Sequence, residues 1–502
     1  MNSIRLTVWI VFTLFRSGIL PYRFDHWFKM LGALWVCGPS FAFLGQIAAV
    51  RFPRHEALAD DEGTLNFTQL HQESLALARC LKTENGVGPG HRIAIVFSNH
   101  RGFVLSLLAL TRLGADVLPV NPRLPKNVLA EIIRNQDIDF VLHEKEVADQ
   151  IGEGFVSRTW IGQEDGPDKL SRVARAGQLI VLTSGSTGVS KGIVRRPTLG
   201  EILPVTAGLL NDLPIRLNRP TILAIPFYHG YGIATLAMSL ALGSSLITGR
   251  QYDVTTLTDR HPHPEPAMLV TVPTLLWRWM KEPGLKMNLE AVITGSAPLS
   301  SRLCQDLMRR IGPVLYNLYG ATETGLIALA TPQMLAVSPG CVGLPLPGNQ
   351  LVIKGDDIGR IVVRGPLVLG AGKDGWLDTG DLGRHDEHGY LHVCGRADGM
   401  IVSGGENVFP HELEAVLDDH PMLQDFAVLS VADEEFGQRL ELAVVVSDEA
   451  DKLIAAELKD WLGRRLERFK LPRRISILDS IPRNELGKVR RQDLSDIMNA
   501  SS

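Results

Sequence analysis

The sequence predicts an α/β protein: a large N-terminal domain of doubly wound sheets with a small β region, followed by a small α/β C-terminal domain. Three observations support this. The chain has 502 residues, too many for one compact core. Short apolar runs alternate with helical periodicity over two long stretches, the pattern of doubly wound sheets. Beyond Gly395, roughly 100 residues carry their own apolar pattern, enough for a separate small domain.

From Arg92 the alternation is regular. Arg92–Phe97 reads as a buried strand and Gly102–Leu113 as a helix. Asp116–Val120 is a strand, Lys126–Asn135 a helix and Asp139–Leu142 a strand. The second stretch runs from Thr221 to Tyr319, with strands at 222–225, 268–272, 291–294 and 314–317. Leu351–Leu369 is rich in Val, Ile and Gly and reads as the small β region. The turn Asp386-Glu387-His388-Gly389 and the strand Tyr390–Cys394 precede the domain boundary. The expected organisation is an N-terminal extension at 1–40, a large domain at 41–395 and a small domain at 396–502.

The N-terminal extension is apolar from Ile4 to Leu20 but interrupted by Arg5 and Arg16. At 100° per residue, Asn2, Arg5, Thr13 and Arg16 share one helical sector. Through Lys29 the segment has four Lys/Arg against one Asp. One reading is an interfacial membrane anchor through residues 1–38, with Arg stems snorkelling and Trp9 at headgroup level. Another is a helix packed on the body of the protein. The apolar stretch is short for a span, and no cleavage signal follows promptly, so a spanning or cleaved segment ranks below both.

Composition excludes several classes. Hydrophobic residues make up 45% and charged residues 21%, with a net charge of −4, which is not the profile of a nucleic-acid surface. Five cysteines are scattered without a CxxC spacing, consistent with free thiols in a reducing compartment. His261 and His263 lie in a proline-rich stretch that reads as a surface loop rather than a metal site.

The most informative segment is Leu182-Thr183-Ser184-Gly185-Ser186-Thr187-Gly188-Val189-Ser190-Lys191-Gly192, after the strand-like Gln178–Val181. Backbone N–H groups, hydroxyls and one lysine together make a phosphate cradle. A flexible polar turn is the alternative. The segment is not the common P-loop, because Ser190 stands where that loop has glycine before the lysine.

Four further segments follow in order: Tyr319-Gly320-Ala321-Thr322-Glu323-Thr324-Gly325; Trp376-Leu377-Asp378-Thr379-Gly380-Asp381; Gly395-Arg396-Ala397-Asp398 with Ser403-Gly404-Gly405-Glu406-Asn407; and Pro482-Arg483-Asn484-Glu485-Leu486-Gly487-Lys488. Together with the first loop they resemble the adenylate-forming superfamily of acyl-CoA synthetases, luciferases and peptide-synthetase adenylation domains, over roughly residues 45–495. Within it, fatty acyl-CoA synthetases are the nearest likeness. The resemblance implies an ATP-dependent enzyme that joins a carboxylic acid to AMP with release of pyrophosphate. It then passes the acyl group to the thiol of coenzyme A, with Mg2+ as the metal and the C-terminal domain as a mobile lid.

It also implies roles. Thr183, Ser184, Gly185, Ser186, Thr187, Gly188 and Lys191 would hold the departing phosphates. Thr322 would lie near the α-phosphate and Glu323 would bind Mg2+. Tyr319 and Gly320, with Gly295-Ser296-Ala297-Pro298, would form the adenine pocket. Asp381 would bind the ribose, and Arg396 would assist at the nucleotide. Lys488 would bridge the carboxylate and the α-phosphate, Asp398 would be the hinge, and Ser403, Gly404 and Gly405 would shape the coenzyme A side. Phe227, Tyr228, His229 and Tyr231 would surround the acyl pocket, with His229 as gate or as a core histidine. No acid stands there to hold an amine, so an uncharged tail is favoured, medium or long fatty acids first. The helix Ile233–Leu242 is small and apolar, which suits an aliphatic channel or plain core packing. Two alternatives remain: a ligase that loads an acyl carrier protein, and a catalytically silent nucleotide-binding scaffold. The expected location is cytoplasmic, or peripheral at the cytoplasmic face of a membrane, with no nucleic-acid partner.

Overall fold

The computed structural model describes residues 3–21, 23–151, 156–160, 170–183, 191–195, 198–260, 266–282, 288–355, 357–399, 401–403, 406–433, 437–446, 455–485 and 487–500. It forms two compact units. One comprises Met1–Thr271 and Lys281–Ile293, the other Val272–Met280 and Thr294–Ser502.

The first unit holds a six-stranded sheet in the order Ser157–Thr159, Phe140–His143, Arg92–Val96, Asp116–Val120, Leu179–Thr183, Lys191–Arg195. The first five strands are parallel and the last closes an antiparallel hairpin. Continuous apolar runs suit strands covered on both faces, and Ile93 to Val96 are fully buried. A second parallel set runs Ala267–Thr271, Thr221–Leu223, Leu246–Ile247, Glu56–Asp60, with Gly63–Asn66 antiparallel at its edge. The helix Arg101–Leu113 is buried along nearly its whole length, against the helix Phe67–Asn85. A helix that is apolar all round belongs in such a core. Its N-terminus is capped by the His100 side chain, which accepts from Gly102 N–H.

Three helices begin the chain: α1 (Ser3–Arg16), α2 (Phe24–Cys37) and α3 (Phe41–Arg51). α1 lays Ile10 and Leu14 on Ala207 and Leu210 of the helix Leu199–Asp212. α2 packs on α3. The polar sector expected of α1 is only half right. Arg5 and Arg16 are exposed, but Thr13 is buried in the packed face. Trp9, expected at a membrane headgroup level, is partly buried against the same cluster as Ile10. Among the described residues no helix is long and apolar enough to cross a membrane.

The second unit contains an antiparallel set, Leu315–Ala321, Gly325–Ala330 and Leu344–Pro345. A four-stranded meander follows: Gln350–Lys354, Gly359–Arg364, Leu377–His385, Leu391–Arg396. The C-terminal sheet orders Glu406–Val408, Ile401–Ser403, Gly437–Val446 and Leu423–Asp433, with Arg474–Ile477 parallel to Gly437–Val446. Period-two alternation splits its two faces. Leu440, Leu442 and Val444 meet the helices Pro410–Asp418 and Ala455–Gly463. Ala427, Leu429 and Ala443 meet Leu494 and Met498 of the helix Arg491–Ala500. The result is the α/β class the alternation implied, with a small sheet-and-helix body at the C-terminus.

Candidate active site

In the first unit, the segment expected to cradle phosphate is flanked by the antiparallel strands Leu179–Thr183 and Lys191–Arg195. Thr183 and Lys191 are direct register partners at its base. Val117 pairs in parallel with Leu179, so the hairpin is attached to the buried sheet. Ser184, Gly185, Ser186, Thr187 and Gly188 lie outside the described residues.

The segment expected at the acyl pocket leads from the strand Thr221–Leu223 into the helix Gly230–Leu242, with His229 at the N-cap position. Asn99 staples it. Its amide donates to Ile225 O at 2.7 Å, and its oxygen accepts from Phe227 N–H at 2.7 Å. The Phe227 ring is buried and stacked on Phe103, centroids 5.0 Å apart, so it braces the segment from the core. The Tyr231 hydroxyl donates to Ile293 O at 3.1 Å, and burial pushes its phenol up. Tyr228 and His229 are in ring contact at 4.6 Å, Tyr228 buried and His229 half-buried. The four residues expected together thus divide into a core brace and an aromatic-histidine edge.

In the second unit, the strands Leu315–Ala321 and Gly325–Ala330 are joined by a tight turn. Thr324 locks it: its hydroxyl accepts from Ala321 N–H at 3.0 Å and donates to Gly325 O at 3.0 Å. Thr322 and Glu323 are held half-buried at the tip, where Leu369 N–H donates to Glu323 O at 2.8 Å. Among the described residues no group of three His, Cys, Asp or Glu side chains could enclose a metal. An oxygen-preferring ion such as Mg2+ keeps most of its ligands from water and phosphate and needs only one carboxylate, the chemistry a half-buried glutamate at a strand turn can offer.

Tyr319, Asp381 and Arg396 come together. The Tyr319 hydroxyl donates to Asp381 Oδ2 at 2.6 Å, and Arg396 Nη1 donates to Asp381 Oδ1 at 3.2 Å. Asp381 and Arg396 are register partners on adjacent strands, which sets this pairing. Burial first, and then the Asp381 charge, push the Tyr319 phenol up and keep it a donor. Thr379, which the sequence reading passed over, ties the cluster. Its hydroxyl accepts from Asp381 N–H at 3.1 Å and its carbonyl accepts from Arg396 at 3.0 Å. It stands two residues before Asp381 in the same motif, the one signal available.

Gly295 ends the strand Leu289–Gly295, where a Cβ would come within 2.8 Å of Leu318 O. Only glycine permits that approach. Ser296 next to it has φ of 65°, a left-handed conformation that a non-glycine residue holds at a cost. Ala297 is half-buried and Pro298 exposed.

Lys488 is exposed on a loop bonded to itself. Asn484 N–H donates to Lys488 O at 2.8 Å, and Lys488 N–H donates to Asn484 Oδ1 at 2.9 Å. Arg483 donates to Gly487 O at 2.8 Å and to both Asp425 oxygens at 2.7 and 3.2 Å. Gly487 has φ of 75°, and a Cβ there would lie 1.9 Å from Thr274 Oγ1. Asp425 is 58 residues away in sequence, and no local signal pointed to it. Asp398 lies in the 3-10 turn Ala397–Gly399 after the strand Leu391–Arg396. Ser403 is buried, whereas Gly404 and Gly405 lie outside the described residues, as do His261 and His263.

The model of the family "AMP-binding enzyme" matches residues 46–371, and that of the "AMP-binding enzyme C-terminal domain" matches residues 412–488. The chain is 29% identical over 474 residues to a 2-succinylbenzoate–CoA ligase of Geobacillus sp. (strain WCH70), covering 89% of this chain and 95% of that one. It is 29% identical over 499 residues to an indoleacetate–CoA ligase of Aromatoleum aromaticum (strain DSM 19018 / LMG 30748 / EbN1), covering 90% and 95%. Among solved structures, o-succinylbenzoate CoA synthetase from Bacillus subtilis, in complex with its acyl-adenylate intermediate, superposes with a TM-score of 0.75 at 25% identity. The match covers 90% of this chain and 98% of that one.

Proposed function

The chain belongs to the AMP-binding enzyme family, and from that premise we propose how its own residues divide the work of an AMP-forming acid–thiol ligase using ATP, Mg2+ and coenzyme A. Three anionic centres meet in adenylation: the carboxylate, the α-phosphate and the departing pyrophosphate. Each needs cations or N–H donors aimed at it. Lys191 and the loop from Thr183 to Gly188 serve the departing phosphates. Thr322 and Glu323 serve the α-phosphate and Mg2+, whose part is to neutralise phosphate charge. Lys488 serves the carboxylate and α-phosphate together.

The observation that supports this division best is the Tyr319–Asp381–Arg396 cluster. Asp381 is an acceptor already oriented by a phenol and a guanidinium, as a ribose diol requires. Gly295, Ser296, Ala297, Pro298, Tyr319 and Gly320 supply the adenine side of that pocket. Ser403, Gly404 and Gly405 shape the coenzyme A side, and Asp398 is the swivel between the two half-reactions.

For the acid, the proposal is a carboxylate with an uncharged, largely apolar tail that meets His229 and Tyr228. The relatives are named for ring-bearing acids, whereas the sequence reading pointed to medium or long fatty acids. Ring-bearing acids are therefore the first substrates to try. A fatty acid is the second reading, favoured by the small apolar helix Gly230–Leu242 with its Ala234, Ala237 and Ala241. ATP–pyrophosphate exchange over a panel of aryl, arylacetic and alkanoic acids tests it, followed by thioester formation with coenzyme A and with holo-carrier protein. Exchange with an apolar acid and transfer to coenzyme A is the expected result. Exchange with none would leave a silent scaffold, and transfer only to carrier protein would make it the other ligase.

A further inference from the structure

α1 and α2 precede the residues that the family model matches, which begin at 46. Each uses one face to pack on the first unit, which leaves a second face bare. On α1 that bare stripe is Arg5, Val8, Phe12 and Arg16, spaced to fall along one side of a helix. Val8 and Phe12 are each 63% exposed, between the two arginines. On α2 the outward stripe is Phe24, Phe28, Leu31 and Trp35, again at helical spacing, with the Arg172 guanidinium 4.4 Å over the Trp35 ring. These four are 83%, 74%, 58% and 62% exposed. The two helices are joined by a short turn and touch through Phe15 and Trp27, ring centroids 6.3 Å apart. Arg51 of α3 fixes that turn by donating to Ile19 O at 3.0 Å.

Six large apolar side chains exposed on two neighbouring helices make a patch of the kind that marks an interaction surface. Charge selects the partner. Among the described residues, exposed ionic side chains beside the rows include Arg5, Arg16, Arg23, Lys29 and Arg172 against Asp25, five cations to one anion, whereas the whole chain is net −4. An apolar, aromatic-rich row rimmed by Lys and Arg is the pattern of a segment lying in the plane of an anionic bilayer surface. Helices of 14 residues, each already packed along one side, are suited to lying on that surface and too short to span it.

We propose that α1 and α2 together dock this enzyme on the surface of an anionic lipid bilayer, with Val8, Phe12, Phe24, Phe28, Leu31 and Trp35 entering the headgroup boundary and Arg5, Arg16, Arg23 and Lys29 meeting lipid phosphates. This is independent of which acid is activated.

The test is flotation of the full chain with vesicles of phosphatidylcholine alone and of phosphatidylcholine with phosphatidylglycerol. Binding to the anionic vesicles is expected, weakening as salt is raised. The double variant Phe28→Ser/Trp35→Ser should lower the partition coefficient at least about tenfold. Arg5→Glu/Lys29→Glu should remove most of the preference for anionic vesicles. None of these residues touches the adenylation site, so pyrophosphate exchange on a water-soluble acid should stay at the parent rate in both variants and show that they are folded. Three results would overturn the proposal: no flotation of the parent chain, equal flotation of Phe28→Ser/Trp35→Ser, or equal binding to neutral and anionic vesicles. Light scattering provides the rival occupant. A parent dimer that the same double variant dissociates, without vesicle binding, would assign the rows to a second copy of this chain.

Discussion

Two segments each carry a lysine for which we propose a part in phosphate chemistry, and they are built differently. Lys191 begins a strand, and its hairpin is an extension of the buried parallel sheet through Leu179 and Val117. Its position is inherited from a core. Lys488 stands on a loop framed mainly by side-chain and turn bonds: Asn484 and Lys488 clasp each other, and Arg483 ties Gly487 to Asp425 of the strand Leu423–Asp433. The first lysine is placed by a strand of the sheet. The second segment combines its own Asn484–Lys488 bonds with a side-chain anchor, Arg483 on Asp425, which would let a lysine keep its geometry if the body bearing it moved. The difference teaches that a lysine can be positioned by a sheet strand or by a local set of hydrogen bonds, and the second arrangement is the one suited to a part that moves.

The largest effect expected from this contrast is that of Lys488→Ala. It removes one charge-assisted contact made in the transition state, a loss of about 3–4 kcal/mol, or roughly 10²–10³ in the rate of adenylation. Thioester formation from supplied acyl adenylate should fall far less. Single-turnover measurement of each half-reaction checks this, and equal losses in both would show that Lys488 does not leave.

Asp398→Pro comes next and asks whether the loop travels at all. Asp398 is the middle residue of the turn Ala397–Gly399. Proline fixes φ near about −65° and restricts the residue before it, so large backbone changes there are blocked. One half-reaction should survive while the other drops by about tenfold or more. Near-parent rates in both would place the pivot elsewhere.

Arg483→Met tests the local frame. The side chain is largely buried and its bidentate partner Asp425 would be left without it. A loss of about 1–3 kcal/mol in loop order is expected, read as a drop of about tenfold in adenylation. Arg483 acts through Lys488, so it is a positioning residue. In the background of Lys488→Ala, the same change should cost almost nothing further in rate. Additive losses in that double-mutant cycle would mean that the clamp only stabilises the fold.

The strands of the first unit were legible because burial on both faces turns them into uninterrupted apolar runs, as at Arg92–Val96 and Asp116–Val120. The site motifs were legible as residue types at fixed spacing. What held them was not. The bond from Tyr319 to Asp381 spans 62 residues and follows from how two separate sets of strands meet. The Arg483–Asp425 clamp joins a loop to a strand 58 residues earlier. Neither leaves a periodic trace. The outward side of α1 was misjudged at Thr13 and Trp9 because the helix is apolar almost all round. Its packed side was chosen by the helix Leu199–Asp212, which lies far along the chain.

The smallest effect concerns the meander that ends at Arg396, immediately before the proposed pivot. Asp386 opens its last turn and gathers four partners. Its carboxylate accepts from His388 N–H and Tyr390 N–H at 2.9 Å each and from the Ser338 hydroxyl, and it lies 3.1 Å from His392 Nε2. Burial works against its charge, but the Ser338, Tyr390, His392 and His388 contacts outweigh burial and lower its pKa from 3.8 to about 2. A carboxyl depressed in the folded state binds protons more readily when unfolded. Its stabilising effect is therefore complete above pH 3.8 and is lost as the pH falls through about 2. Asp386→Ala should lower the melting temperature by a few degrees at neutral pH and by progressively less toward pH 2, where parent and variant should converge. Both half-reactions should keep their ratio, since the bonds of Asp386 run to Ser338, His388, Tyr390 and His392 and not to the Lys488 loop. Thermal melts of the two proteins across that pH window check the first part. A variant whose deficit grows as the pH falls would show that Asp386 is stabilised by its protonated form.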